Sequence, residues 1–180
     1  IVSVHYFEFA KDYVFEGETH NFWEFLYVDK GEVDVMAGTQ GYRLKQRELI
    51  FHKPNEFHNV WANGKVAPNL VVMAFECKSP AMSFFENKIM NIGDTEKNLL
   101  ATIIREARSA FSAPLDKSTL KKLERNSDSL IGAEQLIRIS LEQLLITLAR
   151  KGRSIRMESR LSTTARERTY EEMFKRITAY

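Results

Sequence analysis

Gly17-Glu18-Thr19-His20-Asn21-Phe22-Trp23-Glu24, followed by Gly31, and Glu48-Leu49-Ile50-Phe51-His52-Lys53-Pro54-Asn55-Glu56-Phe57-His58 are the stretches whose reading decides the fold. Around them, runs rich in Val, Phe, Tyr and Trp read as strands: His5–Phe9, Trp23–Lys30, Glu32–Met36, Glu48–His52, His58–Ala62 and Leu70–Cys77. Gly31, Gly38 and Gly41 supply the backbone freedom that hairpin turns require. Short strands at this spacing predict a sandwich or a small barrel. Side chains alternate faces along a strand, so Glu18, His20, Phe22, Glu24 and Leu26 share one parity and can face one interior. The opposite row, Trp23, Phe25 and Tyr27, is aromatic throughout, which predicts that this strand is covered on both sides. With Trp61, Trp23 is expected outside the pocket, packed against helices.

Two histidines and two carboxylates on one inward face need compensation. An unpaired buried carboxylate costs several kcal/mol, comparable with the whole stability of a small domain. Imidazole nitrogen and carboxylate oxygen suit divalent transition metals, which makes Glu18, His20, Glu24 and His58 a candidate metal set. The same side chains with Phe22, Leu26 and Val60 are candidates to line a cavity for a small organic ligand. A purely structural hydrogen-bonded cluster is the third reading. Two acids at one end favour a hydroxylated or cationic ligand over a carboxylate, unless a metal reverses that preference.

After Pro80 the period changes from strand to helix. Asp94 is read as an N-cap, Leu99, Leu100, Ile103, Ile104, Ala107 and Phe111 follow at helical spacing, and Pro114 closes the helix. A polar stretch with Lys117, Lys121, Lys122, Glu124, Arg125 and Asp128 reads as a short helix or loop. A second helix over 132–150 carries Leu136, Ile137, Ile139, Leu141, Leu144, Leu145, Ile146 and Leu148, more than one apolar stripe. Its surplus face must be covered by the first helix or by a second copy of the chain.

The net charge of +2 conceals an asymmetry: from Arg150 onward nine Lys/Arg stand against four Asp/Glu, which leaves 17 against 20 for residues 1–149. The basic stretch to Arg168 reads as a linker, and Tyr170, Met173, Phe174, Ile177 and Tyr180 return to helical spacing. No aromatic residue interrupts the arginines of this linker, which argues against a single-strand nucleic-acid module. The one cysteine, Cys77, excludes an internal disulfide and fits a reducing cytoplasm. No apolar run reaches the length of a membrane span. The chain starts at Ile1 without a methionine and stops inside a helical pattern, so further sequence is expected at both ends.

His20, Glu24 and Gly31 resemble the second half of the first cupin motif, and Pro54 with His58 resembles the second, while Glu18 stands where that family has its first histidine. With the leucine-rich segments Gly132–Arg138 and Leu141–Ile146, the whole layout resembles that of AraC-type transcriptional regulators. The resemblance implies an α+β chain: a cupin-like antiparallel β barrel or jelly roll over 1–85, two long packing and dimerisation helices within 86–151, a linker over 152–168, and the start of a helix-turn-helix region at 169–180. It further implies a cytoplasmic sensor that is not an enzyme and binds a polar small-molecule effector, with a sugar among the candidates. The homodimer would form through Ile137, Leu141, Leu144, Leu145 and Leu148, and DNA would be met only through a domain outside this chain. No cofactor is required, with a divalent transition metal as the candidate. The rival is a metal-dependent cupin enzyme built on the same cluster.

Overall fold

The computed structural model describes residues 1–116 and 123–152. Lys117, Lys121 and Lys122, the expected linker from 153 and the expected terminal helix at 169–180 lie outside the described residues. Among the described residues there are nine strands: β1 (Ser3–Glu8), β2 (Val14–Glu18), β3 (Trp23–Lys30), β4 (Glu32–Ala37), β5 (Gln40–Lys45), β6 (Glu48–His52), β7 (His58–Ala62), β8 (Asn69–Phe75) and β9 (Ile89–Asn91). They form two antiparallel sheets, ordered β1-β8-β3-β6-β9 and β2-β7-β4-β5. A 3₁₀ turn at Pro80–Phe85 precedes β9, and α1 (Asp94–Ala110) follows it. A second helix, α2, occupies 133–152. The chain divides into two compact units, Ile1–Leu144 and Leu145–Tyr180.

β3 lies at the centre of the first sheet, paired with β8 and β6, and its two faces have different tasks. Leu26 and Val28 point between the sheets into a core completed by Ile50 and Leu70 from the first sheet and Val33, Val35, Ala37, Leu44 and Val60 from the second. Each Val, Leu and Ile among them contributes about 1.5–3 kcal/mol when fully withdrawn from water. Trp23, Phe25 and Tyr27 face the other way and are buried too. Phe25 meets Phe51 edge-on at 5.8 Å, and Phe51 lies 4.6 Å from Phe85 of the 3₁₀ turn. α1 lies against β1 and buries Leu100, Ile103, Ile104 and Ala107.

Several local expectations are corrected. β2, β5 and β9 were not expected, and β9 extends the first sheet beyond residue 85 by pairing with β6. Glycine turns do join β3 to β4 and β4 to β5, at Gly31 (φ 79°) and Gly38 (φ 60°), but Gly41 lies inside β5. Asp94 is not the cap of α1; Gly93 holds that place and its N–H donates to Glu96 Oε2 at 2.8 Å. Asp94 instead pairs with Arg47 at 3.0 Å.

The residues expected to form the dimer stripe differ in exposure within one chain. Ile137, Leu141 and Leu144 are buried within a single chain, as is Leu148 in the second unit, and Leu145 is half-buried. A side chain already withdrawn from water has little surface left to give a partner. The apolar groups α2 exposes are Leu136, Ile139 and Ile146. Among the described residues no helix is long and apolar enough to cross a membrane.

Candidate functional site

Cross-strand pairing builds the site. In the second sheet the register sets Glu18 of β2 opposite His58 of β7, and in the first it sets Glu24 of β3 opposite His52 of β6. The sheets face one another, so the two carboxylate–histidine pairs meet across the interior. His20 comes from the connection between β2 and β3, where Asn55 N–H donates to its carbonyl at 2.8 Å and ties this segment to the turn before β7. The parity expectation thus selected these residues through an incorrect continuity. Glu18 and Glu24 belong to different sheets, and the chain between them is not strand.

Between the sheets lies a cavity of about 370 Å³, of the size that accommodates small organic molecules. Glu18, His20, Phe22, Glu24, Leu26, His58 and Val60 all stand on its wall, while Trp23 and Trp61 do not. The wall also carries residues that sequence reasoning missed: His5, His52, Phe7, Phe9, Tyr13 and Phe15. His52 shares its parity with core residue Ile50, and His5 with Phe7 and Phe9, so face assignment along those strands was the available signal. Phe15 lay in a strand that was not recognised.

The imidazoles are oriented by their backbone. His20 Nδ1 lies 3.1 Å from the carbonyl of Phe22 and His58 Nδ1 lies 3.0 Å from that of Glu56. A carbonyl only accepts, so each Nδ1 carries a proton and each ring turns its Nε2 toward the cavity. Those Nε2 atoms are buried and have no hydrogen-bond partner. The nearest oxygens belong to Glu24, at 3.5 Å from His20 and 3.4 Å from His58, within ion-pair reach but outside good hydrogen-bond geometry. Glu18 approaches His58 Nε2 at 3.9 Å from a half-exposed position. His52 stacks on His58 with ring centroids 4.5 Å apart, and His20 meets the same ring edge-on at 4.8 Å.

Charge follows from this packing. Burial works to raise the Glu24 carboxyl, but the His20 and His58 contacts outweigh it and hold the group at about 2. Burial works to lower His58, and Glu24 reverses that, so His58 is raised above 6.5. His52 is lowered by burial, with Glu56 at 3.7 Å only partly offsetting it. His5 is likewise lowered by burial, offset in part by the Leu115 carbonyl.

Ligand atoms of Glu18, His20, Glu24 and His58 all lie within 4.8 Å of one another. A tetrahedral ion with bonds of about 2.0–2.1 Å needs its ligands roughly 3.3 Å apart, so the set fits a transition metal after a modest contraction. Nδ1–H bonds to backbone carbonyls are also the outer contacts that metal-bound histidines use.

Residues 2–77 match the family described as the AraC-like ligand binding domain. No curated protein matches the sequence significantly. Among solved structures, an apo variant of ToxT from Vibrio cholerae strain SCE256 aligns over 82% of this chain and 55% of its own, at 10% identity and a TM-score of 0.52. The cupin domain of Schizosaccharomyces pombe Cnp3 aligns over 41% of this chain and 50% of its own, at 12% identity and a TM-score of 0.37. An RmlC-like cupin from Shewanella frigidimarina aligns over 41% and 67%, at 16% identity and a TM-score of 0.36. The chain spans about half the length of the ToxT and Cnp3 structures. Its architecture is α+β, two antiparallel sheets packed face to face with helices after them, and its β region, residues 2–77, is what matches the AraC-like ligand binding domain.

Proposed function

We propose that the cavity binds a small-molecule effector and that the chain is the sensing region of a cytoplasmic AraC-type transcriptional regulator, with DNA read by a separate domain. The observation that carries this reading is a cavity of about 370 Å³ with two buried, unpartnered imidazole nitrogens on its wall, inside a ligand-binding domain. Binding would order the connection carrying His20 and the turn before His58, which the Asn55 hydrogen bond already links. Homodimerisation through the exposed Leu136 and Ile139 face of α2 is part of the proposal, in place of the buried stripe. Coupling between effector and operator is expected to change operator affinity by about 5- to 150-fold. The test uses the full-length regulator and a compound that raises the melting temperature of this chain. Unchanged operator affinity and unchanged dimerisation would refute the reading.

A second reading is favoured by the four-ligand set. Glu18, His20, Glu24 and His58 would hold a divalent transition metal, whose chemistry when bound is Lewis-acid polarisation of a coordinated oxygen. A metal-dependent cupin enzyme is the activity that would follow. Native mass spectrometry before and after a chelator separates the two. One metal per subunit, removed by the chelator, supports the metal reading, and a metal-free protein supports the effector reading.

A further inference from the structure

The cavity wall is one-sided in its chemistry. It carries two carboxylates, Glu18 and Glu24, and among the described residues no Lys or Arg lines it. His20 and His58 each commit Nδ1 to a backbone carbonyl, so in its neutral form each ring adds an Nε2 lone pair beside the Glu24 oxygens. His58 is only 4% exposed, and its Nε2 has no hydrogen-bond partner. These acceptors converge within a few ångströms of one another and repel unless a positively charged donor lies among them.

The rest of the wall is aromatic. His5 stacks on Phe7 at 5.0 Å, Phe7 on Phe9 at 4.8 Å and Phe9 on Tyr13 at 3.6 Å, so a row of mutually stacked rings lines the cavity beside its acidic end. A flat apolar group packs well against such a row, edge to face.

We propose that the ligand is an organic cation, a primary ammonium joined to a flat apolar body, with the ammonium at Glu24 between His20 and His58 and the body against Phe7, Phe9 and Tyr13. This deepens the effector reading and rests on it. An ammonium brings three donors and a full charge to an end of the cavity where two carboxylates accept and no Lys or Arg lies among the lining residues. Ionised Glu24 offsets the cost of withdrawing that charge from water. A carboxylate or phosphate would instead meet two carboxylates with no basic side chain to receive it. A hydroxyl brings one donor and no charge.

The test is calorimetric titration of the purified chain, in chelator and near neutral pH, with phenylethylammonium, phenylethanol and phenylpropionate. The ammonium is expected to bind roughly tenfold tighter than the alcohol, the difference between a charge-assisted and a neutral hydrogen bond, with the carboxylate weakest. Glu24→Gln should bring ammonium and alcohol within about threefold of each other, while Phe9→Leu should weaken both and keep their ratio. Should Glu24→Gln fail to fold, Glu18→Gln at the half-exposed position should narrow the ratio by a smaller factor. Equal or tighter binding of the alcohol or the carboxylate overturns the ligand class and leaves the effector reading standing. Binding of none of the three overturns the ammonium proposal, and if zinc without chelator then binds instead, the effector reading falls with it.

Discussion

The interior between the sheets has two ends that obey opposite rules. At one, Val28, Val33, Val35, Leu44 and Leu70 are buried and packed against one another, with no polar side chain in the cluster. At the other, the same sheets present Glu24, His20, His52 and His58 around a cavity, and imidazole nitrogens lack hydrogen-bond partners. β3 passes from one regime to the other within four residues, from Glu24 through Leu26 on the cavity wall to Val28. The apolar end holds the sheets together, and the stability it supplies lets the other end keep costly polar groups around the cavity.

That division makes its sharpest prediction at Leu44, which is 0% exposed. Leu44→Ala should lower unfolding free energy by about 2–5 kcal/mol in urea while leaving the cavity's ligand preference unchanged. His58→Ala should do the reverse, abolishing ligand binding at a far smaller cost in stability. Equal destabilisation by both variants would erase the distinction and make the histidine cluster part of the structural core.

How much of this contrast could be read from the sequence depends on where each strand lies. β3, β4, β6, β7 and β8 are interior to their sheets, carry dense Val, Phe and Leu runs, and were legible. β2, β5 and β9 are edge strands, half exposed and interrupted by Glu, Gly, Arg or Asn, so their composition resembles that of a loop. Missing β2 made Glu18 to Leu26 look like one strand. The residues it selected still share a cavity because the sandwich folds the two sheets face to face. His52 was missed although it lay in the quoted segment, because its partner across the strands is Glu24 and that register is fixed only by the fold.

Acid titration sharpens the comparison from the polar end. Glu24 is held at about 2 against an ordinary 4.5, so its contribution is present above pH 4.5 and is lost as pH falls toward 2. The loss should be on the order of 3 kcal/mol, from the per-unit equivalence of pKa and free energy. His52 and His5, both lowered by burial, contribute above pH 6.5 and lose that contribution as pH falls from there through their lower folded values. His58 has the opposite sign: its raised value contributes below pH 6.5 and is lost as pH rises through its folded value. Urea unfolding across pH should therefore show Glu24→Gln lacking the step between 4.5 and 2. A parallel curve for variant and parent would mean that the carboxylate is not held ionised by its histidines.

The same opposition between buried and available side chains recurs on α2 and yields the prediction of smallest effect on stability. Periodicity alone shows that this helix has more apolar surface than one stripe needs, but it cannot say which stripe its own chain consumes. The structure assigns Ile137, Leu141 and Leu144 to the chain itself and leaves Leu136 and Ile139 exposed, three residues apart and so on one face. Leu144→Asp should therefore destabilise the subunit by several kcal/mol, since it buries an unpaired carboxylate. Ile139→Glu should change unfolding free energy by no more than about 0.5 kcal/mol, as an exposed substitution does. If the exposed face mediates the homodimer, the same change should weaken association by roughly tenfold or more in sedimentation equilibrium, the cost of placing two like charges in a shared apolar contact. A dimer that survives Ile139→Glu unchanged would move the interface off this face of α2, and a subunit that survives Leu144→Asp folded would return the buried stripe to contention.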